Sequence, residues 1–153
     1  MASSESQQSL VLRNGLKVVL VARPFGKGFT ACLNFRAGRQ DDPADAIGVA
    51  HLAEHLVFTG KTKVLSRELS EQSVYVNATT AQQRTSFYVS GHCDFLNKGM
   101  RLLASMLEVR DIDSEACLHE REIVHQEMVD NEPDTLCERN SAYWKLNARL
   151  SGD

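Results

Sequence analysis

Two histidines and a glutamate, His51, Glu54 and His55, stand in an otherwise apolar run from Ile47 to Phe58 (Ile-Gly-Val-Ala-His-Leu-Ala-Glu-His-Leu-Val-Phe). The run has helical length and no proline. At about 100° per residue, His51, Glu54, His55 and Phe58 fall on one stripe of a helix. Its other faces are apolar and call for burial. Two imidazoles and a carboxylate are costly to bury without partners. A single histidine in such a place is most often a hydrogen-bonded core residue. Two at a one-turn interval, with an acid between them and no solvated face, better suit a divalent metal carrying a water.

The order H-x-x-E-H is also the inverted form of the H-E-x-x-H zinc signature, in which the histidines hold the metal and the glutamate serves as general base. Such a site needs a third ligand from elsewhere in the chain. The stretch Glu115 to Asp134 supplies candidates. Ala116, Glu120, Ile123, Val124 and Glu127 share one helical face, because seven residues make nearly two turns. Acids on helices are mostly solvated, so helical phase alone gives Glu120 and Glu127 no role.

Two segments carry a closer likeness. Gly48-Val-Ala-His-Leu-Ala-Glu-His-Leu-Val-Phe58 resembles the pitrilysin/insulysin family of zinc metallopeptidases, which includes mitochondrial processing peptidase. So does Glu120-Arg-Glu-Ile-Val-His-Gln-Glu127, whose last residue lies 72 positions after His55. The resemblance implies one zinc ion per chain on His51, His55 and Glu127, with Glu54 as general base and Glu120 as a supporting carboxylate. Asn77-Ala78-Thr79-Thr80 and Arg84-Thr-Ser-Phe-Tyr88 resemble the family's N-A-x-T and T-x-Y-Y strands. Asn77, Ala78 and Thr79 would then form the sheet edge on which a peptide substrate lies as an added strand. Gly38 fits the same layout. Two departures stand out: Ser73 and Val74 occupy positions where the family usually has glycine, and the Thr59–Gln72 connection is short. Both bear on substrate preference rather than on the metal.

The elements that must position these residues are legible in part. Asn14-Gly15 between Leu10–Leu12 and Lys17–Ala22 signals a hairpin. Phe29–Arg36 reads as a strand, and Gly38–Ala44 as a loop, with Asp45 a fitting N-cap for the His51 helix. A short helix is expected at Leu65–Gln72, then strands at Val74–Thr80 and Thr85–Ser90. Leu96, Met100, Leu103, Met106 and Leu107 form a helical stripe within Asp94–Val109. Ser114–Asn131 is expected as a helix capped by Asp113 or Ser114, with another helix over Thr135–Leu150 after Pro133. Gly60-Lys61-Thr62 is no phosphate loop, since the earlier glycine would have to stand at His55 and a helix precedes it. The order is α+β, an antiparallel β-sheet with helices packed on one face, resembling one truncated lobe of a pitrilysin-type peptidase. Residues 1–8 are expected to be disordered, 9–150 to form a single catalytic domain and 151–153 a tail.

At 153 residues and a net charge of −3, with lysine and arginine scattered, the chain offers no case for nucleic acid. No apolar run approaches a membrane span. The first residues hold no apolar signal segment, and Glu5 with no arginine before Arg13 speaks against a mitochondrial presequence, so the expected location is cytoplasmic. Cys32, Cys93, Cys117 and Cys137 form no C-x-x-C pair and no zinc-ribbon spacing, and read as reduced, partly buried thiols. Family members close two similar lobes on the substrate, and one such lobe already exceeds this chain. The sequence therefore implies a zinc metalloendopeptidase working as a homo-oligomer or as a heteromer with a second lobe. The alternatives are a peptide-binding or assembly subunit, or a piece of a longer peptidase.

Overall fold

Gly15, at φ 85°, turns the chain back on itself while Asn14 Oδ1 accepts from Leu16 N at 3.1 Å. The turn sets the register of β1 (Ser6–Val11) against β2 (Lys17–Ala22), pairing Val11 with Lys17 and Ser6 with Ala22. Once that register is set, backbone pairing continues whatever the side chains are. β1 therefore starts at Ser6, inside the stretch expected to lack order. The structure, a computed structural model, describes residues 6–23, 25–109 and 112–131. The helix expected over Thr135–Leu150 and the residue Cys137 lie outside them.

β3 (Gly28–Phe35), β4 (Tyr75–Thr80) and β5 (Thr85–His92) form a second antiparallel sheet in the order β3-β5-β4. The strands thus divide into two sheets, not one. Strand alternation sorts the three-stranded sheet cleanly. Leu33, Phe87 and Val89 are buried on one face, with Phe29, Ala31, Val76 and Ala78 packed beside them. The opposite face is polar, with Thr30 bonded to Ser90 (3.0 Å) and Ser86 Oγ donating to Asn34 (2.7 Å). The apolar face carries α2 (Gly60–Glu71) and α3 (Leu96–Met106), whose Leu69, Leu102, Leu103 and Met106 complete the core. The architecture is α+β, with helices on one face of an antiparallel sheet.

α3 differs from the expected stripe. Its buried face is Gly99, Leu102, Leu103 and Met106, while Leu96, Met100 and Leu107 are exposed. The reason is Gly99: a Cβ there would lie 3.0 Å from Phe29 and from Val89, so the bare backbone seats directly on the sheet. The inward face therefore centres on Gly99, which hydrophobicity alone does not mark. α2 also begins at Gly60 rather than Leu65. Thr62, almost wholly buried, donates to the carbonyls of Val57 and Thr59 and ties the corner after α1 (Val49–Val57). The span expected to be a shortened connection is thus mostly helix.

α2 closes with Ser73 N bonded to Ser70 O and Val74 N to Leu69 O, both at 3.0 Å. This pattern puts the residue after the cap in the left-handed region, where Ser73 has φ 61°. α4 covers Ser114–Asn131 as expected. Of its two candidate caps, Asp113 does the work: its carboxylate accepts from Ala116 N (3.0 Å) and its carbonyl from Cys117 N (2.9 Å). Val124 of α4 is buried against Leu52 and Leu56 of α1, with Cys117 and Met128 alongside. Among the described residues no helix is long and apolar enough to cross a membrane.

Candidate metal centre

α1 is held at its start by a carboxylate other than the expected one. Asp42 Oδ2 accepts from Gly48 N and its Oδ1 from Ala50 N, both at 2.7 Å. The helix begins at Val49, so Asp45 is not its N-cap. A turn at Pro43–Ala46 and the left-handed Gly48 (φ 96°) bring the chain in from the side, within reach of an acid six residues back. The segment before Asp42 is fixed in turn to the β4–β5 hairpin. Arg39 N donates to Ala81 O (3.0 Å) and Gln40 N to Gln82 O (2.9 Å). Gly38 lies so close that a Cβ would sit 2.4 Å from Ala81 O and 2.6 Å from Arg84 N. No side chain fits there. The His51 helix and the end of β4 are therefore one rigid frame.

On that frame α1 and α4 lie against each other, and their polar residues meet. His51 Nε2 is 3.4 Å and His55 Nε2 3.6 Å from the same Glu127 Oε2. Atoms bound about 2.0–2.2 Å from a tetrahedral ion stand roughly 3.3–3.6 Å from one another. Each histidine thus stands from Glu127 at about the spacing of a zinc coordination edge, the three ligand atoms lie within 4.8 Å of one another, and the donor set of two imidazoles and a carboxylate fits that metal. His55 Nδ1 lies 3.1 Å from Glu120 Oε2. A carboxylate oxygen accepts, so Nδ1 donates to Glu120, and Nε2 is the ring nitrogen that faces Glu127. Both histidine side chains are under a fifth exposed, whereas Glu127 is 45% exposed. The pKa of His51 is lowered, first by burial and next by the charge of neighbouring His55, against the opposing pull of Glu54 and Glu127. Burial thus favours neutral His51, the form that ligates.

Glu54 lies one turn from His51 on the same helix, and its Oε2 accepts from Thr80 Oγ1 at 2.6 Å. Sequence reasoning missed Thr80, although a signal was present. It ends the N-A-x-T run, and strand alternation puts it on the inner face with Ala78, toward α1. Asn77, Ala78 and Thr79 lie on β4 at the edge of the three-stranded sheet. Asn77 Nδ2 donates to the Tyr75 hydroxyl (2.7 Å) and its Oδ1 accepts from Ala78 N (2.9 Å). A second group with ligand-type atoms, His92, Cys93 and Asp94, is exposed on a single turn, and His92 and Asp94 face each other at 3.1 Å.

The chain is similar in sequence and fold to known proteins. The chain is 34% identical over 127 residues to coenzyme PQQ synthesis protein F of Pseudomonas putida, covering 80% of this chain and 17% of that one. It is 29% identical over 135 residues to a probable mitochondrial-processing peptidase subunit beta of Schizosaccharomyces pombe (84% and 30%). Against human insulin-degrading enzyme the identity is 28% over 135 residues (77% and 13%). The chain thus spans less than a third of each of these relatives. The crystal structure of pitrilysin superposes with a TM-score of 0.73 at 28% identity, covering 83% of this chain and 14% of pitrilysin. A protease from Helicobacter pylori shares the fold, with a TM-score of 0.75 at 23% identity, covering 82% and 31%. The profile of the insulinase family, peptidase family M16, matches residues 17–149, from the second strand of the hairpin to beyond the last described helix, and the chain belongs to that family.

Proposed function

We propose that the chain is the metal-bearing part of a zinc-dependent endopeptidase. One observation carries the reading: His51 and His55 converge on Glu127 with the three ligand atoms within 4.8 Å of one another, Glu54 is one helical turn from His51, and β4 is an edge strand of the described sheet on the same frame. Zinc held there supplies Lewis acidity, polarising a peptide carbonyl and lowering the pKa of a water to about 7. Glu54 accepts the proton of the attacking water and returns it to the leaving amine. Glu120 holds the His55 ring with Nε2 aimed at the metal position. β4 receives an extended peptide along Asn77, Ala78 and Thr79, and backbone pairing there is blind to side-chain identity.

A second reading is favoured by length. The chain covers 13–30% of the three relatives above, so groups that face the substrate from an opposing lobe come from another copy, another subunit or a longer chain. Without them the same fold serves as a peptide-binding or assembly subunit. Exposed free Cys32 and Cys93 support a reducing compartment, and we place the protein in the cytoplasm. The decisive comparison is Glu54→Gln, which keeps zinc and fold and loses hydrolysis of a fluorogenic peptide. Equal cleavage by the variant and the parent chain would remove Glu54 from the reaction.

A further inference from the structure

The Glu54 carboxylate makes one hydrogen bond among the described residues, and it reaches across to β4. Thr80 ends β4, is 8% exposed, and donates from Oγ1 to Glu54 Oε2 at 2.6 Å. An O–H donor on a carboxylate at that distance is among the stronger hydrogen bonds of proteins. The next residue is fixed on both sides: Ala81 N donates to Arg84 O (2.8 Å), and Ala81 O accepts from Arg39 N (3.0 Å). Thr80 therefore has a rigid backbone, while a glutamate side chain has three rotatable bonds to restrain.

We infer that Thr80 is a positioning residue that holds Glu54 in one rotamer and keys it to the β4 edge. The inference rests on the proposed peptidase reading, in which Glu54 is the base. With Oε2 engaged by the hydroxyl, Oε1 is the oxygen left to accept the proton of water. Because the donor belongs to β4 itself, a peptide paired along Asn77–Thr79 is registered against the base by a single element. A misplacement of about 1 Å in such a group costs on the order of 10²-fold in rate.

The test uses Thr80→Val, which keeps the shape and removes the hydroxyl, and Thr80→Ser, which keeps the hydroxyl. With zinc bound, Thr80→Val should lower kcat by about tenfold or more with KM within about twofold, and Thr80→Ser should restore kcat to near the parent value. Zinc content should be equal in all three proteins. A readout independent of turnover comes from urea unfolding of the metal-free chain. Thr80→Val and Glu54→Ala should be coupled by about tenfold in the unfolding equilibrium constant. Unchanged kcat in Thr80→Val, an equal loss in Thr80→Ser, or additive unfolding effects would overturn the inference. A parent chain that cleaves nothing with zinc bound, even when joined to an opposing lobe, would instead overturn the peptidase reading, while the unfolding cycle still decides the Thr80–Glu54 link.

Discussion

Glu120 and Glu127 were equal candidates on helical phase, yet they occupy different places. Glu127 Oε2 meets the Nε2 atoms of both histidines, while Glu120 Oε2 meets Nδ1 of His55 alone. Periodicity puts both on one face and cannot say which lies opposite which ring atom, since that depends on how α4 slides along α1. Family resemblance implies a distinction that helical phase does not, with Glu127 as ligand and Glu120 in support. The two acids should therefore fail differently. Glu120→Gln leaves the ligand set intact but no longer offers two acceptor oxygens to the Nδ1 hydrogen. Its zinc affinity should fall by about 10–100-fold, with the fold kept. Competition with a chromogenic chelator reads this directly, and an affinity equal to the parent would remove Glu120 from the support of the site. Thr80 and Asp42 were not legible as site residues, because their partners are 26 and at least six residues away and become neighbours only through the fold.

At the scale of elements, the sequence shows where pattern and turn chemistry agree. Asn14-Gly15 marked the hairpin, and α4 runs over Ser114–Asn131 as its pattern and caps foretold. The failures have physical causes. α3 turns its Gly99 face to the sheet because close backbone approach outweighs the burial of Leu96, Met100 and Leu107. α1 starts at Val49 because a distant acid caps it. Ser73 stands at one of the two positions where the family resemblance leads to an expectation of glycine, and it takes the left-handed conformation at φ 61°, closed by the two backbone bonds at the end of α2. A left-handed residue with a Cβ costs about 1–2 kcal/mol, offset in part by the lower chain entropy of serine when unfolded. Ser73→Gly should raise stability by about 0.5–1 kcal/mol in denaturant titration. A loss of stability would mean that the Ser73 side chain contributes more than its backbone costs.

Taken whole, the molecule leaves apolar surface uncovered. Both strands of the hairpin are exposed, with Val11, Val19, Leu20 and Val21 half or more accessible, and a two-stranded ribbon is marginal by itself. Leu96, Met100 and Leu107 add an exposed row on α3. Such surface in water drives association. Since the chain spans less than a third of the relatives compared above, the expected partner is a second copy or a second lobe. Light scattering on the purified chain should show a dimer or larger species. Peptidase activity, where present, should rise with protein concentration more steeply than in proportion. A strict monomer with brisk zinc-dependent turnover would make this short chain a complete enzyme.

The most direct test of the metal centre is the zinc content of the purified parent chain beside Glu127→Ala. Three protein ligands leave no spare, so the parent should hold one zinc per chain and the variant should lose nearly all of it at the same free zinc concentration. His51 and His55 remain in that variant, which isolates the contribution of α4 from that of the histidine pair on α1. One equivalent of zinc in Glu127→Ala, held as tightly as in the parent, would contradict the placement of the third ligand and with it the centre built on α1 and α4.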